Sequence, residues 1–165
     1  MATIHRRNLL LGGTALAALA AFAALRPTDA PQAAEGDFPF KLTEEEWRAR
    51  LSPEAYYILR EEGTERPFSS PLLDEHRDGI FACAGCDQPL FESATKFDSG
   101  TGWPSFYDFI PGALGTRDDS SFGMMRTSLH CSNCGGHQGH VFEDGPPPTG
   151  LRYCIDGLAL KFIPA

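Results

Sequence analysis

The chain has 165 residues, 22 acidic against 14 basic side chains for a net charge of −8, and 42% apolar residues. That length suits one main domain, and so acidic a balance repels nucleic acid and anionic membrane surfaces. No basic patch offsets it, so nucleic acid is excluded as a partner.

Residues 1–34 differ in composition from everything after them. His5-Arg6-Arg7-Asn8 is a positive start, Leu9 to Leu25 is a run of 17 residues without a charge, and small residues ending Gln32-Ala33-Ala34 offer cleavage positions. The run is shorter than the roughly 20 apolar residues of a membrane-spanning helix and is interrupted by Gly12-Gly13. It reads as a removable export signal, and this signal is the only expected contact with a membrane. Arg6-Arg7 before Asn8-Leu9-Leu10 resembles a twin-arginine signal, which directs folded proteins to the bacterial periplasm; the plainer reading is an ordinary secretory signal. Export after folding suits cysteines that must meet a metal before an oxidising compartment pairs them. The expected division is therefore 1–34, signal and linker, and 35–165, one domain. Removing Arg6, Arg7, Arg26 and Asp29 takes a net +2 from the chain and leaves −10.

From Leu42 to Arg60 the pattern is helical. Thr43 before Glu44-Glu45-Glu46 marks a helix start, and Trp47, Leu51, Tyr56 and Leu59 are its candidate core positions. Ser52-Pro53 begins a second helix with proline in its first turn, and Gly63 is expected to end it. Beyond Gly63, short apolar runs alternate with Gly, Pro, Asp and Ser clusters: 79–82, 123–127, 140–142, 151–155 and 158–163. Such punctuation belongs to antiparallel strands. The expected fold is mainly β with a short N-terminal helical segment. Pro146-Pro147-Pro148 is a stiff loop.

Four of the five cysteines form two pairs of equal spacing, Cys83-Ala84-Gly85-Cys86 and Cys131-Ser132-Asn133-Cys134, with 44 residues between them. Two such pairs in a small chain are a usual way to hold tetrahedral zinc. Four thiolates would fill the coordination sphere, so the zinc expected here is structural. The alternatives are two disulfide loops, a thioredoxin-like redox pair, or a set of three cysteines with His130 or His137.

Cys154 is left over, in Leu151-Arg152-Tyr153-Cys154-Ile155-Asp156. In a strand, Arg152, Cys154 and Asp156 share one face and Leu151, Tyr153 and Ile155 the other. A guanidinium beside a thiol favours the reactive thiolate; the alternative is a small buried apolar residue. Upstream, His137 and His140 could donate protons to an oxyanion or serve only as hydrogen-bonded structural residues, and Asp144-Gly145 reads as a turn. In Asp98-Ser99-Gly100-Thr101-Gly102-Trp103-Pro104-Ser105-Phe106, the indole is either a core plug or the wall of a small apolar pocket.

Cys-Ala-Gly-Cys, Asp-Ser-Gly-Thr-Gly-Trp-Pro-Ser-Phe, Cys-Ser-Asn-Cys-Gly-Gly-His-Gln-Gly-His-Val-Phe and Leu-Arg-Tyr-Cys-Ile, with Gly63-Thr64-Glu65-Arg66-Pro67-Phe68, together resemble the B-type methionine-R-sulfoxide reductases in order and spacing. The likeness runs from about Leu42 to Phe162. It implies two antiparallel sheets with the zinc remote from the active site, and Cys154 as nucleophile. His137, His140, Asp144 and Arg152 would form the polar side of the site, and Trp103 and Asp156 would contact substrate. It further implies methionine sulfoxide in proteins or peptides as substrate, and a thioredoxin-like or small-thiol reductant. Two departures stand out. Thr101 occupies the place where many members carry a resolving cysteine, and Asp156 the place of an asparagine. The competing class is a non-catalytic, zinc-held β binding module, which leaves Cys154, both imidazoles and Trp103 unexplained. A zinc hydrolase is disfavoured by the complete four-cysteine set.

Overall fold

A computed structural model describes residues 36–165 except residue 124, so the expected export segment lies outside the described residues. Helix α1 (Glu44–Arg50) begins at a capping box. The Thr43 hydroxyl accepts the Glu46 N–H at 3.2 Å and the Glu46 carboxylate accepts the Thr43 N–H at 2.8 Å, which satisfies two donors the first turn would otherwise leave bare. Helix α2 (Pro53–Glu61) starts from Ser52, whose hydroxyl accepts the Ala55 N–H, with Pro53 in its first turn. The expected core positions Trp47, Leu51, Tyr56 and Leu59 are all buried, and Ile58 joins them. The left-handed residue that ends α2 is Glu62 (φ 54°), not Gly63. Glycine is needed at 63 for space, since a Cβ there would lie 2.1 Å from the Tyr57 ring.

Among the described residues nine strands follow: β1 (Gly79–Cys83), β2 (Pro89–Glu92), β3 (Lys96–Phe97), β4 (Ser105–Phe106), β5 (Leu114–Asp119), β6 (Arg126–Cys131), β7 (His137–Phe142), β8 (Arg152–Ile155) and β9 (Leu160–Pro164). They form two sheets, ordered β2-β1-β9 and β3-β4-β8-β7-β6-β5, antiparallel throughout. The mainly β expectation, with two antiparallel sheets, holds. Two expected runs differ at their starts: 158–163 opens in a 3-10 turn (Gly157–Ala159) before β9 begins at Leu160, and in 123–127 Gly123 ends a 3-10 turn (Ser121–Gly123) while β6 begins at Arg126. For the second, Asp119 is the reason. Its carboxylate accepts the Ser121 N–H at 2.8 Å and an Arg126 Nη2 hydrogen bond at 2.6 Å, closing the β5–β6 connection as a turn.

Phe81, Phe91, Phe106, Leu90, Leu129 and Ile155 are fully buried between the layers. Phe91 and Phe106 stack at 4.2 Å between ring centroids, and Phe81 meets Phe106 edge-on at 5.0 Å. Each such side chain contributes about 1.5–3 kcal/mol through burial. Tyr153 and Ile155 of β8 point into this core, which leaves Arg152 and Cys154 on the opposite face by the strand's period of two.

Candidate active site and cysteine cluster

Cys83 closes β1 and Cys131 closes β6, and each is followed by a turn of the same design. The Cys83 carbonyl accepts the Asp87 N–H and the Cys131 carbonyl accepts the Gly135 N–H, both at 2.9 Å. Asp87 (φ 68°) and Gly135 (φ 70°) take the left-handed conformation that reverses the chain. The two turns bring four sulfurs within 4.8 Å of one another, with Cys83 Sγ 3.7 Å from Cys134 Sγ and Cys86 Sγ 3.5 Å from Cys131 Sγ. A tetrahedral ion with Zn–S bonds of about 2.3 Å needs sulfurs about 3.8 Å apart, so the set fits zinc closely. Neither His130 nor His137 belongs to the cluster, and all four thiols are unbridged.

Cys154 lies on the other side of β8 from the core. It pairs with Ser105 of β4 on one side and His140 of β7 on the other. It opens into a cavity of about 120 Å³ walled by Trp103, His140, Phe142, Asp156, Thr64 and Arg126, with Gly139 at its floor. Gly139 is demanded by packing: its φ is 144° and a Cβ would lie 2.0 Å from the Cys154 carbonyl oxygen. A larger residue would part β7 from β8 at the thiol. Trp103 is held as a wall by its indole N–H, which donates to the Glu65 carbonyl at 3.2 Å. The Gly102 carbonyl behind it accepts the Phe68 N–H at 2.7 Å.

The polar residues do not all converge on the thiol. Arg152 is close enough to hydrogen-bond Cys154, and it also grips Asp144 with Nε–Oδ1 and Nη2–Oδ2 bonds of 2.8 and 3.0 Å, its guanidinium stacked on Phe142 at 4.4 Å. Asp144 thus steadies Arg152, whose hydrogen bonds hold its carboxyl below the usual range. His140 Nε2 sits 2.8 Å from Asp119, and burial lowers the imidazole despite that carboxylate. His137 does not line the Cys154 cavity. It is packed edge-on between His130 and His140, at 5.6 and 5.3 Å, and borders an adjoining cavity of about 430 Å³. Burial drives it down to about 3, so it is neutral. The thiol also departs from expectation: burial pushes Cys154 up by more than Arg152 and the Thr101 hydroxyl pull it down.

Thr64, Arg126 and Asp119 carried no sequence signal of this placement. Asp119 and Arg126 meet through the register of a polar hairpin, Asp119↔Arg126, and residue spacing alone does not reveal such a pairing. Thr64, exposed, borders three contiguous depressions: the Cys154 cavity, the His137 cavity, and a groove of about 540 Å³ along Pro53, Tyr57, Ile58 and Leu158.

Residues 51–164 match the SelR domain family. A protein of Agrobacterium fabrum named peptide methionine sulfoxide reductase MsrB is 58% identical over 120 residues, covering 72% of this chain and 89% of its own length. Proteins of the same name from Thiobacillus denitrificans and Methanosarcina barkeri are 57% and 54% identical, covering 74% and 73% of this chain and 93% and 85% of theirs.

Proposed function

The chain belongs to the SelR-domain family and is a peptide methionine sulfoxide reductase, and from that premise we propose that Cys154 reduces the R epimer of methionine sulfoxide by attacking its sulfur. The observation that carries this reading is the cavity itself, which gathers one thiol, the Trp103 indole and the hydrogen-bonding side chains of Thr64, Arg126, His140 and Asp156 around one space. The indole receives the sulfoxide methyl group, and the epimer that places its oxygen toward the polar wall is selected. Attack transfers the oxygen: the Cys154 thiol and the sulfoxide become a sulfenic acid and a thioether, with one proton carried to oxygen. That oxygen needs a proton or a strong hydrogen bond as negative charge builds.

Resolution calls for an external thiol. Thr101 lies within hydrogen-bonding reach of Cys154 where a resolving cysteine would sit, and the other four cysteines are gathered in the cluster. A small thiol or a thioredoxin-like partner condenses with the sulfenic acid, releasing water and leaving a mixed disulfide that a second thiol reduces. Cys83, Cys86, Cys131 and Cys134 would hold a structural zinc, which supplies stability and takes no part in the chemistry. The grooves meeting at Thr64 suit a substrate that is a stretch of polypeptide more than a free amino acid. The address we favour is the periplasm, on the sequence of residues 1–34 alone.

The test is reduction of the separated epimers of a blocked methionine sulfoxide with dithiothreitol. Turnover of R alone, lost in Cys154→Ser, is expected, as is a gain of one oxygen on Cys154 when reductant is withheld. Zinc-loaded protein that reduces neither epimer would leave the binding-module reading in its place.

A further inference from the structure

Asp156 follows Cys154 by two residues, just past the end of β8, and both line the 120 Å³ cavity. Asp156 is 4% exposed. The hydrogen bond on its carboxyl, among the described residues, is from the Glu65 backbone N–H to Oδ1 at 2.9 Å. Glu65 in turn accepts the Gly157 N–H, so the two segments are tied reciprocally and the carboxyl is fixed in the wall of the cavity that the thiol opens into. The charged groups around it have other engagements: Arg152 with Asp144, His140 with Asp119, and Arg126 with Asp119 and Ser121. Glu65, the other acid facing it, adds repulsion. A buried carboxyl with a single neutral donor resists ionisation.

Building on Cys154 as nucleophile, we propose that Asp156 is the proton carrier of the reaction, taking the proton from the Cys154 thiol and delivering it to the sulfoxide oxygen. The balance closes within the site. The thiol's S–H breaks and its proton passes to the carboxylate. The thiolate attacks sulfur while the carboxylic acid protonates the sulfoxide oxygen; the hydroxyl then passes to the Cys154 sulfur as the transient bond between the two sulfurs and the substrate S–O bond break, an electron pair returning to the methionine sulfur, so that Cys154 becomes a sulfenic acid and methionine a thioether. The aspartate returns as it began, and no further reactant is consumed. Burial supports the assignment on both sides, raising Asp156 to about 7 and raising Cys154 as well. The competent pair holds one proton between its two members. Its population grows as pH rises through about 7 and declines once the raised thiol also ionises.

The experiment compares the full chain with Asp156→Asn, which keeps the Oδ1 acceptor for Glu65, in two measurements from pH 5 to 10. The first is single-turnover sulfenic acid formation on a blocked methionine-R-sulfoxide; the second is alkylation of Cys154. Removing an anion beside the thiol should leave alkylation at pH 7 unchanged or faster. Sulfenic acid formation should fall roughly 10²-fold, within the range of general acid–base catalysis, and lose its rising limb near pH 7. A residue that only packs or only repels would move the two rates together. Parallel changes, or an unaltered pH profile, would overturn the proposal alone. Wild-type protein that forms no sulfenic acid at Cys154 would overturn the nucleophile assignment and this inference with it.

Discussion

The two cysteine turns close a loop of 44 residues between Cys86 and Cys131. If zinc holds them as one cross-link, the loop-closure relation for a link of that span gives about 4 kcal/mol of stabilisation, through the entropy removed from the unfolded chain. That is a large share of the roughly 5–15 kcal/mol by which domains are stable. For a domain of this size each kcal/mol moves the melting temperature about 3–5 °C. Replacing Cys131 and Cys134 together by serine should therefore lower it by about 12–20 °C and take bound zinc from about one ion per chain to none. Both sulfurs are nearly or wholly buried, so the substitutions also disturb packing. Chelation of the wild-type protein isolates the metal's share and should reproduce most of the shift. Wild-type protein that is isolated without metal, and melts at the same temperature with and without chelator, would refute the clamp.

Thr101→Cys should convert the oxidised product from a sulfenic acid to a disulfide between positions 101 and 154, detectable by peptide mass mapping, because the Thr101 hydroxyl already reaches the thiol. In Trp103→Ala, turnover of the R-sulfoxide should fall at least tenfold with Cys154 alkylation retained; full activity would make the indole a core plug. The depressed His137 predicts acid lability. An unfolded histidine binds a proton near pH 6.5 and the folded one only near 3, so stability is complete above about 6.5 and is lost as pH falls. The loss is about 2 kcal/mol by pH 5. In His137→Gln, the difference between denaturant midpoints at pH 7.5 and 5 should shrink correspondingly, and an unchanged difference would contradict the burial argument.

Local chemistry made much of the molecule legible from its residues. Capping depends on side chains three positions apart, which is why Thr43 and Ser52 marked both helix starts. Strand alternation depends on a period of two, which is why the core-facing Tyr153 and Ile155 separate from Arg152 and Cys154 along the chain itself. Equal cysteine spacing pointed to a shared centre because each turn presents its two sulfurs the same way. The polar residues of the site were another matter. Which imidazole faces the thiol was settled by the β7–β8 pairing of His140 with Cys154 and by His137 packing behind it. Asp144 was drawn onto Arg152 by a bidentate geometry across eight residues, and Asp119 reached His140 from an edge strand that no pattern had marked. The spacing of two between the thiol and Asp156 suggested a shared side, and both do line one cavity, but the burial that raises both exists only once β4, β7 and the 64–65 segment close around them. Periodicity is a property of neighbouring residues and can be read along the chain; desolvation and hydrogen-bond partnership depend on distant segments brought together, so the tertiary structure alone decided them.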